Sequence, residues 1–320
     1  MRKTLTILSF LLLNICVRAQ ILNNEWIDYS KTYYKFKIGH TGLFRINQGI
    51  LAGSGLGNTP VEQFQLWRNG IEIPIYTSLA TGILPANGYL EFWGEQNDGK
   101  PDRALYKDPN NQLSDVLSLE SDTATYFLTV NTGPNKRNIE AANNVAGNTL
   151  SPEPYFLYNY HHEFQVQINY GRAVYFGEYV YSATYDAGEF WASDDIRPGS
   201  PLEFTTESLY PKTGASSADL KVSFAGNSYL GGNRTVKADI NGSSIISSVL
   251  PTMSAAVFEN NAVPISALNT AATTLTFTNV SGDPNDRVVV GFFDLQYPRL
   301  FNFGGKADFS FNMPATTQGN

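Results

Sequence analysis

Apolar side chains recur at every second position in short runs broken by glycine, asparagine and proline. This period of two restricts most of the chain to β-strands, whose successive side chains face opposite ways. Tyr34, Phe36 and Ile38 alternate with Lys35 and Lys37, and after Gly39-His40-Thr41-Gly42 the pattern resumes with Phe44 and Ile46 around Arg45. Phe64 and Leu66 lead into Asn69-Gly70, with Ile71, Ile73 and Ile75 beyond. Asn-Gly between alternating runs predicts a two-residue hairpin, because both loop residues need positive φ. Tyr89–Trp93 and Tyr126–Val130 predict two more strands. In the second half, Phe164–Ile168, Leu220–Phe224, Thr235–Ile240, Leu275–Thr278 and Val288–Phe293 read as strands, with Asn241-Gly242 as a second hairpin signal. Leu113–Leu119 reads as a short helix. The expected fold class is all-β, with two β-rich domains, the second a β-sandwich of jelly-roll type.

Residues 1–19 read as a signal peptide: Arg2 and Lys3 precede an apolar run from Leu5 to Val17, and Val17-Arg18-Ala19 gives a small–x–small cleavage site before Gln20. The run is too short to span a bilayer, and no later stretch approaches a transmembrane span. Cys16, the only cysteine, falls inside this segment, so the exported chain is expected to rely on burial without disulfides. Losing three cations and no acid takes the full-length charge from −7 to near −10, which argues against nucleic acid and anionic membranes as partners. Asn131 to Pro154 is polar and rich in Asn, Ala, Gly and Pro, so the expected domains are 20–150 and 151–320.

A search for chemistry yields no catalytic set. A cysteine peptidase needs a thiolate, and the chain after residue 19 has none. The histidines are His40, His161 and His162, and there is no G-x-S-x-G elbow. His161 and His162 are strand neighbours, so they face opposite ways and do not chelate one metal together. Gly53-Ser54-Gly55-Leu56-Gly57 lacks the Lys-Ser/Thr ending of a phosphate loop and the dinucleotide spacing. Asn97, Asp98, Asp102 and Asp108 gather hard oxygen ligands suited to calcium, and Asp283-Pro284-Asn285-Asp286 does so on a smaller scale. Neither has calcium-loop spacing with a distal Glu, and the same residues are ordinary turn formers. Glu91 with Glu95, or Glu189 with Asp194, would be the carboxylate pairs of a glycosidase if a cleft separated them. Trp26, Trp67, Trp93 and Trp191 lie in or beside expected strands, where they serve as core or as platforms for sugar rings.

Several motifs, in order, carry a resemblance. They are Tyr34-Lys35-Phe36-Lys37-Ile38 with Gly42-Leu43-Phe44-Arg45-Ile46, Arg68-Asn69-Gly70, Glu91-Phe92-Trp93-Gly94 running to Asn97-Asp98-Gly99, Leu105-Tyr106-Lys107-Asp108-Pro109, Asp122-Thr123-Ala124-Thr125-Tyr126-Phe127-Leu128-Thr129, Gly188-Glu189-Phe190-Trp191 and Asp294-Leu295-Gln296-Tyr297-Pro298-Arg299. This series resembles the N-terminal region of gingipain-type cysteine peptidases of Bacteroidetes, especially the sortase of the type IX secretion system. In that family a caspase-like α/β domain with a His–Cys dyad follows. None of the matching positions corresponds to the dyad, so no catalytic residue carries over. The resemblance implies a non-catalytic accessory role and a location in the periplasm or on the outer-membrane surface. The implied partners are a downstream or associated peptidase domain and outer-membrane secretion components, and no cofactor is implied. A secreted carbohydrate- or surface-binding β-sandwich is the alternative reading.

Overall fold

The computed structural model describes residues 24–140, 147, 149, 151–182, 185–228, 233–269, 271–306 and 309–314. The expected signal peptide and part of the expected linker lie outside them. The described residues form two compact units, one within 1–96 and 123–142, the other within 97–122 and 143–320. Segment 97–122, which the sequence groups with the first domain, is thus part of the second unit.

The first unit contains β1 (Tyr34–Ile38), β2 (Gly42–Asn47), α1 (Gln48–Gly53), β3 (Phe64–Arg68), β4 (Ile71–Ile73), β5 (Tyr76–Thr77), β6 (Tyr89–Gly94) and β7 (Ala124–Val130). They make two antiparallel sheets, β1-β7-β3-β4 and β2-β6-β5. The alternation sends Phe36 and Ile38 inward and Lys35 and Lys37 to solvent. Phe92 centres the core, its ring 6.0, 5.8 and 5.5 Å from those of Phe36, Phe44 and Tyr126. Burying each such ring is worth roughly 1.5–3 kcal/mol. The Tyr126 hydroxyl, at the inner end of the core, accepts from the Glu95 N–H at 2.8 Å and donates to the Glu95 carbonyl at 3.1 Å. Asn69 and Gly70 take φ of 49° and 75°, as their hairpin loop requires.

The second unit contains β8 (Phe156–Glu163), β9 (Gln167–Asn169), β10 (Gly171–Tyr175), β11 (Glu178–Ser182), β12 (Phe190–Ala192), β13 (Leu202–Thr205), β14 (Ala218–Gly226), β15 (Arg234–Ile240), β16 (Ser243–Leu250), β17 (Ala255–Val263), β18 (Thr274–Val280) and β19 (Val288–Arg299). Two four-stranded antiparallel sheets, β17-β14-β19-β8 and β13-β18-β15-β16, face each other as a sandwich. Most sheet neighbours are not consecutive in sequence, as in a jelly roll. Leu220, Val222 and Phe224 of β14, Val236 and Ala238 of β15, Phe277 of β18 and Phe293 and Leu295 of β19 fill the space between them, all at 0% exposure. Two small ribbons, β9-β12 and β10-β11, complete the unit.

Two local expectations fail for identifiable reasons. Leu113–Leu119 is irregular, because the Ser114 and Ser118 hydroxyls accept from the Val116 and Glu120 N–H groups and offer the backbone an alternative to a helix. Phe164–Ile168 is not one strand: β8 ends at Glu163, and the Phe164 N–H bonds the Gly291 carbonyl while its ring enters the core. Pairing resumes at Gln167.

Candidate functional site

The residues weighed above as calcium ligands make local and structural contacts. Asn97 donates its side-chain amide to the Ser121 carbonyl at 2.7 Å. Asp98 accepts from the Lys100 N–H at 3.2 Å and pairs with its ammonium at 2.5 Å. Asp102 is buried, accepting from the Ser118 hydroxyl at 3.1 Å and the Leu119 N–H at 2.8 Å. Asp108 caps the 3-10 turn Pro109–Asn111 through the Asn110 N–H at 3.0 Å. In the second loop, Asp283 accepts from the Asn285 N–H at 2.8 Å, while Asp286 is buried against Arg234. Among the described residues, no three or more His, Cys, Asp or Glu side chains are grouped to hold a metal ion.

The carboxylate pairs are likewise engaged singly. Glu91 pairs with Arg45, its cross-strand neighbour, and Glu95 pairs with Arg68 at 2.6 Å. Glu189 is buried, and that burial raises its carboxyl above the usual range, while Asp194 is exposed. Trp26 stacks on Trp67 with ring centres 5.3 Å apart, Trp191 donates to the Ser118 carbonyl at 3.1 Å, and Trp93 is 43% exposed. His40 is exposed beside Phe44. Gly53-Ser54-Gly55-Leu56-Gly57 closes α1 as a turn with Gly55 at φ 80°.

Two polar constellations stand out in the second unit. The first fastens segment 97–122 to the loop before β12. The buried Tyr106 hydroxyl donates to the Glu189 carbonyl at 2.5 Å, Lys107 pairs with Asp186 at 2.6 Å, and the Tyr185 hydroxyl donates to Glu120. Leu113 packs beside Phe190, Ala192 and Val289, and the Ser114 hydroxyl donates to Glu163 at the end of β8. The partners are tens of residues apart, so no local sequence signal announces them. The only pointers are the Leu105–Pro109 and Gly188–Trp191 motifs already noted.

The second constellation crosses the outward face of sheet β17-β14-β19-β8. Register sets Glu259 opposite Lys221, Lys221 opposite Asp294, and Asp294 opposite His161, so charge alternates across all four strands. His161 Nδ1 lies 2.8 Å from Asp294 Oδ1, and Lys221 lies 3.5 Å from Glu259. Asn159 donates to Asp294 at 2.7 Å. His161 Nε2 is 3.3 Å from Glu163 Oε1, close enough for attraction but not aligned as a hydrogen bond. Asn159, Asp219, Lys221, Asn261 and Gln296 help line a groove of about 380 Å³ over this face. His162 points the other way, its ring 4.2 Å from Phe204 and 4.7 Å from Phe164 in the core. The opposite facing expected from strand geometry is therefore observed.

The two histidines titrate in opposite senses. Burial disfavours charge on both. At His161 the bond to Asp294 and the attraction of the nearby Glu163 carboxylate more than reverse it, raising its pKa to about 9. At His162 burial and the neighbouring His161 charge hold the pKa below its usual value. A folded-state pKa raised above the unfolded value near 6.5 contributes stability that is complete below about pH 6 and lost as pH rises through about 9. The His161 side chain is 28% exposed, so the contribution is about 1–3 kcal/mol. Urea unfolding of the wild type is expected to show this loss on the alkaline side, and His161→Gln to flatten it. An unchanged slope in the variant would refute the assignment.

The first unit has its own cleft, of about 570 Å³, opening between β1 and β2. Phe36, Phe44, Ile46, Ile50 and Phe92 line it with Lys35, Lys37 and Arg45, and no carboxylate does.

No protein-family model matches the sequence, and no curated protein matches it. Among solved structures, the fold is similar to dimeric latent PorU from Porphyromonas gingivalis, with a TM-score of 0.50 at 13% identity, over 85% of this chain and 25% of that one. The chain therefore spans about a quarter of the length of that relative. A carbohydrate-binding module of type CBM36, in complex with calcium and xylotriose, aligns with 42% of this chain and 98% of its own at 15% identity, with a TM-score of 0.27. What the comparisons establish is a nearly all-β fold built of antiparallel sheets, related in architecture to part of PorU. No helix among the described residues is long and apolar enough to cross a membrane.

Proposed function

We propose that this chain is a non-catalytic N-terminal accessory region of an exported, type IX secretion sortase-like cysteine peptidase. In this role it folds, shields or positions a peptidase domain in the periplasm or at the outer-membrane surface. The observation that carries the reading is the likeness to PorU over 85% of this chain, the same stretch of sequence that holds the ordered motif series. Supporting it, His161, Glu91 and Glu95 are each held in an ion pair, and the chain after residue 19 has no thiol. The reading is tested on the gene. The frame beyond codon 320, or an adjacent one, is expected to encode a domain with a His and a Cys, and the purified chain to hydrolyse no peptide. A genome with no such domain nearby, or peptidase activity in the purified chain, would overturn it.

The groove over sheet β17-β14-β19-β8 favours a second reading, a carbohydrate-binding face. Its amides and carboxylates suit sugar hydroxyls. It is lined by no aromatic ring on which a sugar would stack, which makes this the weaker of the two. A glycan array that shows binding abolished by Asn159→Ala would favour it over the first.

A further inference from the structure

The core of the first unit is open along one seam. Its partly buried members include Tyr34 and Phe36 of β1 and Phe44 and Ile46 of β2, the two strands that flank the cleft of about 570 Å³. Phe92 is the buried part of the cleft lining, and Ile50 of α1, 58% exposed, is the open part.

Both flanking strands are sheet edges. Among the described residues, β1 is bonded to β7 alone and β2 to β6 alone, and no isolated bridge reaches either. Along the outer side of β1, every second residue therefore turns its N–H and C=O toward no strand. Every residue from Tyr34 to His40 lines the cleft, those whose side chains face the core and those whose side chains face solvent alike. Successive strand residues face opposite ways, so what such a run shares toward the cleft is its backbone edge.

The free charge on this edge is of one sign. Lys35 and Lys37 are exposed, and their cross-strand neighbours on β7 are Phe127 and Thr125, which neutralise neither. Arg45 on β2 is paired with Glu91, and no carboxylate lines the cleft. Like charges directly opposite destabilise a strand pair, so the lysines turn away the same edge of another copy and favour an acidic strand.

We propose that the cleft binds an extended acidic peptide, which adds to the outer edge of β1 as a further strand of its sheet. Alternation fixes the sequence pattern of that peptide. Apolar residues at every second position enter the cleft beside Phe36 and Phe44, and Asp or Glu at the positions between lie on the face of Lys35 and Lys37. A peptide matching the 5 residues of β1 spans about 17 Å. The cleft volume falls within the roughly 300–1,000 Å³ of pockets that enclose a ligand. A fatty acid would meet the apolar lining and one lysine but leave the edge N–H and C=O groups of β1 without partners.

The probe is fluorescently labelled Val-Glu-Val-Glu-Val with both ends capped, and the receptor is the chain beginning at Gln20. Anisotropy is expected to show saturable binding with a Kd below about 1 mM, and hydrogen exchange of the β1 amides to slow in the complex. Lys35→Glu combined with Lys37→Glu, both at exposed positions, is expected to weaken binding at least about tenfold, a change of about 1.4 kcal/mol. Ile50→Glu, which puts a carboxylate into the open part of the lining, is expected to do the same. Val-Lys-Val-Lys-Val is expected not to bind. Methylation of alternate backbone nitrogens of the probe, in one of the two possible phases, is expected to abolish binding. These changes to the peptide leave the protein untouched, so a lost fold does not account for them. No saturation at about 1 mM probe, or equal binding of the lysine peptide, would overturn the proposal. If laurate displaces the probe and both methylated peptides bind as well as their parent, the cleft is a lipid site and the proposal fails.

Discussion

Asp286→Ala is expected to lower the stability of the second unit by about 3–5 kcal/mol, the usual consequence of leaving one charge of a buried pair alone. Asp286 and Arg234 both have 0% side-chain exposure, with Nε 2.8 Å from Oδ2 and 3.1 Å from Oδ1. The carboxylate also accepts from the Ser228 hydroxyl at 2.7 Å. The guanidinium donates further to the Pro251 and Ser228 carbonyls, each at 3.3 Å. Burial pushes the Asp286 carboxyl up, and the Arg234 and Ser228 bonds more than reverse it, so its pKa lies below the ordinary carboxylate value. A depressed folded-state pKa contributes stability present above about pH 4 and lost as pH falls through the lower folded value. The wild type is therefore expected to lose stability on acidification where Asp286→Ala does not. The double replacement Arg234→Met with Asp286→Leu is expected to recover most of the loss, because it buries no unpaired charge. Denaturant unfolding measures all three. A single-variant cost below about 1 kcal/mol would show that the pair is not held dry.

The second large effect is expected at Tyr106. Tyr106→Ala empties a buried aromatic site beside Tyr185, whose ring centre lies 5.3 Å away, and removes the bond to the Glu189 carbonyl. The expected cost is about 3–5 kcal/mol for the ring. Tyr106→Phe keeps the ring and loses only the hydrogen bond, for about 0.5–1.5 kcal/mol. The alanine variant is also expected to free segment 97–122 for proteolysis, because Lys107–Asp186 at 2.6 Å is a half-solvated pair too weak to hold it alone. Limited proteolysis with mass mapping reads this directly. If cleavage in the alanine variant does not concentrate within 97–122, Tyr106 is not the fastening.

Much of the strand content is legible from local pattern. Both Asn-Gly hairpins form where expected, with Asn69 and Asn241 at φ 49° and 48°. The runs Tyr34–Ile38, Leu220–Phe224 and Thr235–Ile240 lie within observed strands. These succeed because a half-buried strand writes its two faces into alternate residues. Phe164–Ile168 misleads because its alternation is real but Phe164 turns into the sandwich core, which ends β8. The hairpin β10-β11 escapes notice because its apolar residues lie on both faces and leave no alternation to read.

The acidic loops divide in the same way. Asp108 and Asp283 are the local turn formers that their sequence suggests, each accepting from an N–H two residues on. Asp102 and Asp286 look identical to them in sequence, yet both are buried, one against Ser118 and Leu119 and the other against Arg234. Segment 97–122 shows the same limit on a larger scale, leaving its sequence neighbours to pack in the second unit.

By itself, the sequence of this protein determined its strands, its tight turns and the opposite facing of His161 and His162, because each follows from backbone geometry over a few residues. Tertiary structure alone decided which carboxylates are buried, which groups each one meets, where segment 97–122 belongs and how charge alternates across four strands from His161 to Glu259. Those outcomes depend on strand order and register between residues from tens to more than a hundred positions apart, where the energies of burial and pairing act and local pattern carries no information.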